Sequence, residues 1–180
     1  QNITVQIFRA QLSLRAGDTG TAIRIAQAVL SIDAGNIPAG SVLIEAHMKD
    51  GAFEKAESML NDLVKRSSDD PRVDYLEGLL LRAKGDVRGA SRAVNSIEDW
   101  LAVSPGGALF LADIKRELGF TAQAESILRQ RLSVAPTDIS VISALVTMLD
   151  KAGRTKEADS ILERSRQLMP GHPGLVRFQA

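Results

Sequence analysis

The stretch GRTKEA at residues 153–158 is one of a series. GDTGTA begins at Gly17, GAFEKA at Gly51, GDVRGA at Gly85 and GFTAQA at Gly119. Each opens on glycine and closes five residues later on alanine, and successive glycines stand 34 residues apart. A fixed period of that length marks a supersecondary unit that buries its apolar side by stacking on copies of itself.

The residues on either side of the glycine give the unit its form. Ile142, Leu145, Val146 and Leu149 recur at helical spacing and predict a helix over 139–152. Ala158, Ile161, Leu162 and Leu168 predict a second over 155–168. In the fourth copy Leu111, Ile114 and Leu118 precede the glycine, and Ala124, Ile127, Leu128 and Leu132 follow it. Glycine past a helix end takes the left-handed conformation that stops it. Asp18, Asp86, Thr121 and Thr155 stand where the next helix needs an N-cap. Between units, Asn36-Ile-Pro38, Asp70-Pro71 and Ser104-Pro105 set a polar cap beside a proline, a helix-start signal. Two helices joined by a few residues pack antiparallel and close. Ala22, Ala56, Ala90, Ala124 and Ala158 therefore read as the small residue at each tight crossing.

Glycine, then alanine five residues on, with Pro136 and Pro170 each 17 residues after a glycine, resembles the tetratricopeptide repeat. The period differs from the ankyrin value of about 33 and the HEAT range of about 40–47. The resemblance implies an all-α, right-handed α-solenoid of antiparallel helix pairs. One array is expected, with repeats at about 3–36, 37–70, 71–104, 105–138 and 139–172, and the start of a sixth at 173–180. The copies depart from the family pattern at the early large aromatic, where Gln6, Gly40, Asp74, Ala108 and Ile142 stand. Late in the second helix, Arg131 and Ser165 replace the usual small residue.

Composition narrows the function. The 22 basic and 22 acidic residues balance and spread evenly over both halves, which argues against an electrostatic nucleic-acid or membrane binder. No apolar run approaches the roughly 18 residues of a membrane span. Cysteine is absent, which excludes disulfides and thiolate metal sites. The chain opens at Gln1 inside a helical pattern, the expectation for an excised piece. His47 and His172 have no metal-ligand spacing around them and read as a packing residue and a turn residue. No zinc-protease, P-loop, nucleophile-elbow or EF-hand pattern occurs. The expectation is a protein that is not an enzyme and uses no cofactor or metal.

What stacking leaves is a concave face lined by the first helices. With the glycine as position 15 of the unit, that face falls at positions 2, 5, 9 and 12, three or four apart. Position 9 of the second copy is Glu45. The expected peptide-binding residues are Met48, Arg72, Tyr75, Leu79, Arg82, Leu109, Asp113 and Arg116. Tyrosine and arginine are common interface anchors, and arginine takes a carboxylate bidentately. The expected partner is a protein or peptide with an apolar anchor and an acidic group. The alternative is that the arginines pair with Glu45, Asp113 or Glu117 as ordinary surface residues. Gly106 and Gly107 open the fourth first helix, either to let a ligand backbone approach or as a loose helix start. The family's carboxylate clamp is not reproduced, since no asparagine or lysine stands at these positions.

The resemblance implies a non-catalytic interaction module. Its alternatives are a self-associating segment of a longer array and a non-catalytic arm of a glycosyltransferase-type enzyme. Arginine outnumbers lysine 15 to 7, which suggests a GC-rich bacterial genome. The alanine-rich, Gly-Asp-punctuated copies resemble tandem-repeat lipoproteins of exopolysaccharide export of the PEP-CTERM/exosortase type. That likeness implies a scaffold in a secretion or polymer-export apparatus, with a periplasmic place favoured over a cytoplasmic one.

Overall fold

The computed structural model describes residues 2–176. The described residues are helical and irregular, with no strand among them. They group into two compact units, one ending at Ser96 and one beginning at Ile97. The first holds α1 (Ile3–Arg15), α2 (Thr19–Leu30), α3 (Ile37–Lys49), α4 (Phe53–Arg66), α5 (Pro71–Ala83) and α6 (Val87–Ala93). The second holds α7 (Glu98–Ala102), α8 (Pro105–Glu117), α9 (Thr121–Val134), α10 (Ile139–Lys151), α11 (Thr155–Leu168) and α12 (Pro173–Val176). Within each unit consecutive helices pair and first helices also touch, α1 with α3 and α3 with α5, then α8 with α10. The all-α architecture of stacked helix pairs expected from the repeat is the one observed. Of the expected sixth repeat, α12 is the described part; residues 177–180 lie outside the described residues.

The turn inside each pair is the same five times. Gly17, Gly51, Gly85, Gly119 and Gly153 all have φ between 71° and 88°, the left-handed region. The residue after the glycine donates its N–H back to a carbonyl in the last turn of the helix before it, as Asp18 to Ser13 at 2.9 Å and Arg154 to Leu149 at 2.9 Å. The glycine N–H closes a smaller ring inside that one, as Gly119 to Arg116 at 3.0 Å. This double closure satisfies carbonyls that a helix end otherwise leaves open.

That geometry corrects two of the expected caps. The residue directly after the glycine is already the N-cap of the second helix. Asp18 and Asp86 stand there and accept from the backbone N–H of Thr21 and Gly89. Thr121 and Thr155 are one position too late: each is the first helical residue, and the caps are Phe120 and Arg154, which make no side-chain cap bond. The first helices have true caps, with Asn36, Asp70, Ser104 and Asp138 accepting from the N–H two or three residues on.

The five crossing alanines are sealed. Ala22, Ala56, Ala90 and Ala124 are 0% exposed and Ala158 is 1%. Around them pack Leu63 and Leu76 in the first unit and, in the second, Leu128, Ile142, Leu145 and Leu149 of the stripes read from the sequence. Each such side chain, fully buried, contributes roughly 1.5–3 kcal/mol of transfer free energy.

The third copy does not form the single second helix expected of it. α6 stops at Ala93, a 3-10 turn runs over Asn95–Ile97, and α7 follows. Asn95 and Ser96 are poor interior helix residues, because their side chains compete for the backbone groups a helix uses. The division between the two units falls at this break.

Candidate binding faces on the first helices

In the first unit the expected binding residues lie on α3 and α5. Met48 and Leu79 are half-buried and rest on one core cluster that includes Leu60 and Leu76. Tyr75 is half-buried on the same helix as Leu79. Its phenol is held above the ordinary tyrosine value, first by burial and second by the negative charge of Glu45. The Glu45 carboxyl is itself pushed up by burial, against the smaller pull of Lys49 and Arg15. Lys49 is engaged elsewhere, donating from Nζ to the Leu14 carbonyl at the end of α1 at 2.9 Å. The face thus carries a partly desolvated carboxyl beside an aromatic ring.

The cations of this face are arranged unequally. Arg72 turns back on Asp70, the cap of its own helix, with Nη2 to Oδ2 at 2.6 Å and Nε to Oδ1 at 2.8 Å. Arg82 is half-buried in the last turn of α5.

In the second unit Leu109, Asp113 and Arg116 come together on α8 and meet Thr147, Met148 and Lys151 of α10 across a hollow of about 270 Å3. Leu109 and Met148 pack on the core cluster below. Arg116 Nη2 lies 3.2 Å from Asp113 Oδ1 and 3.7 Å from Glu117 Oε1, an exposed local pairing. Met148 and Lys151 escaped the sequence reading. They lie one residue to the side of the face positions Thr147 and Asp150, so a wider stripe on α10 would have included them.

Gly107 has a different task from either use expected of it. A Cβ there would collide with the Leu101 carbonyl oxygen and come within 2.8 Å of its carbonyl carbon. The glycine lets α7 and α8 touch through the protein's own backbone. At Gly106 a Cβ would meet nothing within 4 Å. His47 is half-buried, and burial lowers its imidazole pKa. The exposed His172 accepts the Gly174 N–H on Nδ1 at 3.0 Å. Among the described residues no group of three or more His, Asp or Glu side chains has metal-holding geometry, and no helix is long and apolar enough to cross a membrane.

Comparison with known proteins agrees with the repeat. The sequence profile of the tetratricopeptide repeat matches residues 13–80. No curated protein matches the sequence. Among solved structures, the chain is similar to TTC0263, a thermophilic TPR protein of Thermus thermophilus, with 19% identity over 98% of this chain and 97% of that one and a TM-score of 0.77. It is similar to pilF of Pseudomonas aeruginosa at 16% identity over 98% and 96%, TM-score 0.66. It is also similar to MamA protein at 18% identity over 92% and 90%, TM-score 0.60. The profile match and these likenesses support the tetratricopeptide-repeat resemblance and its fold.

Proposed function

We propose that the chain is a non-catalytic protein-interaction module that holds partner segments on the exposed faces of its first helices. The observation that carries this reading is the hollow between α8 and α10, where an apolar floor is edged by charged side chains. Met48, Leu79 and Tyr75 give the first unit a second patch of the same character. Half-buried apolar and aromatic anchors with a polar rim are the usual make-up of an interface core.

The bound segment offers an apolar side chain to the hollow and an acidic group to its basic edge. Arg116 is already shared between Asp113 and Glu117, and Arg72 is closed on Asp70. An incoming carboxylate therefore competes with internal ones, so most of the affinity comes from the apolar anchor. The reading extends to a scaffold in a bacterial secretion or polysaccharide-export apparatus on the strength of the alanine-rich, Gly-Asp-punctuated copies.

The test is selection of peptides on the chain, followed by fluorescence anisotropy with Leu109→Glu and Tyr75→Ala, helicity being checked by circular dichroism. At least one variant should weaken its peptides tenfold or more with helicity intact. Unchanged affinity in both variants would overturn the proposal.

A further inference from the structure

The second helices α9 and α11 border a recess of about 280 Å3, partly open to solvent, that shares no residue with the hollow between α8 and α10. Leu145 of α10, which is 0% exposed, closes its inner side. Leu132 of α9 and Ile161 and Leu168 of α11 form apolar walls. Leu168 remains 48% exposed.

The 34-residue register sets one residue of this lining apart. The positions equivalent to Ser165 are Val29, Leu63, Ile97 and Arg131. Val29, Leu63 and Ile97 are buried apolar residues, 2%, 0% and 8% exposed. Arg131 reaches away to the Val103 carbonyl at 2.9 Å. Ser165 is equally buried, at 3%, but is far smaller than leucine or isoleucine. Its hydroxyl donates to the Ile161 carbonyl at 2.8 Å, which ties it to its own helix and keeps it out of the gap. Where the other buried copies carry a branched side chain, this one has a small, covered serine at the floor of the recess.

The polar lining is one-sided. Two guanidiniums, Arg129 and Arg164, border the cavity, and no carboxylate does. Arg129 is committed to Glu125 and Glu157 at 2.8 and 2.9 Å. Arg164 has no ion-pair partner among the described residues. An apolar recess with an uncommitted cation at its edge suits a molecule with an oily body and one negative end. An apolar cavity of roughly 150 Å3 already admits benzene, so this volume accommodates a medium-length alkyl or arylalkyl body.

We propose that this cavity binds a small amphipathic monocarboxylate. Its apolar part lies in the recess against Leu132, Ile161 and Leu168, over the small Ser165. Its carboxylate forms a charge-assisted hydrogen bond with Arg164, stronger than a neutral one would be.

Sodium octanoate titrated into the full chain and followed by calorimetry tests this, with 1-octanol as the neutral match. Saturable one-site binding of octanoate, at least fivefold tighter than octanol, is expected. Arg164→Gln should weaken octanoate at least fivefold and leave octanol unchanged. Ser165→Leu, which installs the residue found at position 63, should abolish both and raise the melting temperature. No saturable octanoate binding, equal binding of octanol, or octanoate binding unaffected by Arg164→Gln would each overturn the assignment. The arginine variant carries the test if the leucine variant does not fold.

Discussion

Arg72 clasps Asp70 from two sides. Its guanidinium meets both carboxylate oxygens, at 2.6 and 2.8 Å, and its backbone N–H donates to Oδ1 at 2.9 Å. One carboxylate is at once the N-cap of α5 and the counter-ion of a residue expected to face a ligand. The side-chain hydrogen bond from Arg72 is the largest cause holding the Asp70 carboxyl below its ordinary value. Asp70→Ala should cost about 1 kcal/mol through the lost cap. Arg72→Ala should cost less than about 1 kcal/mol, because the pair is solvated. A depressed carboxyl stabilises the fold above its unfolded value of 3.8, and that contribution disappears as pH falls through the folded value. Urea denaturation at neutral pH should therefore separate Asp70→Ala from the parent chain. Below pH 3.8 the gap should narrow.

Glu45 has the opposite sign. Burial raises its carboxyl above the reference value of 4.5, so the folded state binds that proton more tightly than the unfolded chain does. Its charge costs stability increasingly as pH rises from 4.5 through the folded value. Glu45→Gln removes the charge and keeps the shape. The variant should melt higher than the parent at neutral pH and match it below pH 4.5, measured by thermal denaturation in paired buffers. A lower melting temperature at neutral pH would mean that Lys49 and Arg15 outweigh desolvation.

The crossing alanines give a packing test. Ala124 is fully enclosed between α8 and α9, and the same position is alanine in every copy. Ala124→Leu should destabilise by about 1–3 kcal/mol through overpacking. A midpoint of denaturation equal to that of the parent would show that the crossing has room to spare.

Those alanines also mark how far the sequence could be read. Glycine and alanine repeat because a left-handed turn and a close crossing admit few residues, so the helix pairs were legible from their spacing. The break in the third copy was less so. Its cause, Asn95-Ser96, is a matter of weak propensity that neighbouring contacts can override in either direction. Thr121 and Thr155 misled because they are good capping residues standing one place beyond the cap, and only the hydrogen-bond register of the glycine turn reveals it. The candidate faces were half legible. Helical spacing identified Leu109, Asp113 and Arg116 as neighbours, and the structure brings them to one hollow. That Arg72 would close on Asp70 depends on a side-chain rotamer, which no periodicity encodes. The recess beside Ser165 was not visible in the family pattern, and Ser165 stands out only against Val29, Leu63 and Ile97 at the equivalent positions. Its meaning required knowing that the equivalent positions are buried.

Gly106 and Gly107 are neighbours in sequence with opposite requirements. At Gly107 an added methyl would strike the Leu101 carbonyl, which belongs to backbone and cannot swing aside. Gly107→Ala should therefore push α7 from α8 and cost roughly 1–3 kcal/mol, as overpacked substitutions do. At Gly106 the methyl enters open space within the first turn of α8. Gly106→Ala should stabilise by up to about 1 kcal/mol, through better helix propensity and a less free unfolded chain. Chemical denaturation of the two variants side by side decides the matter. Equal stability would mean that α7 does not press on α8 at Leu101. The pair also separates packing from recognition. If Gly106 serves a ligand backbone, Gly106→Ala should weaken the peptides selected on the α8–α10 hollow while the fold gains stability. If it serves none, affinity should stay the same.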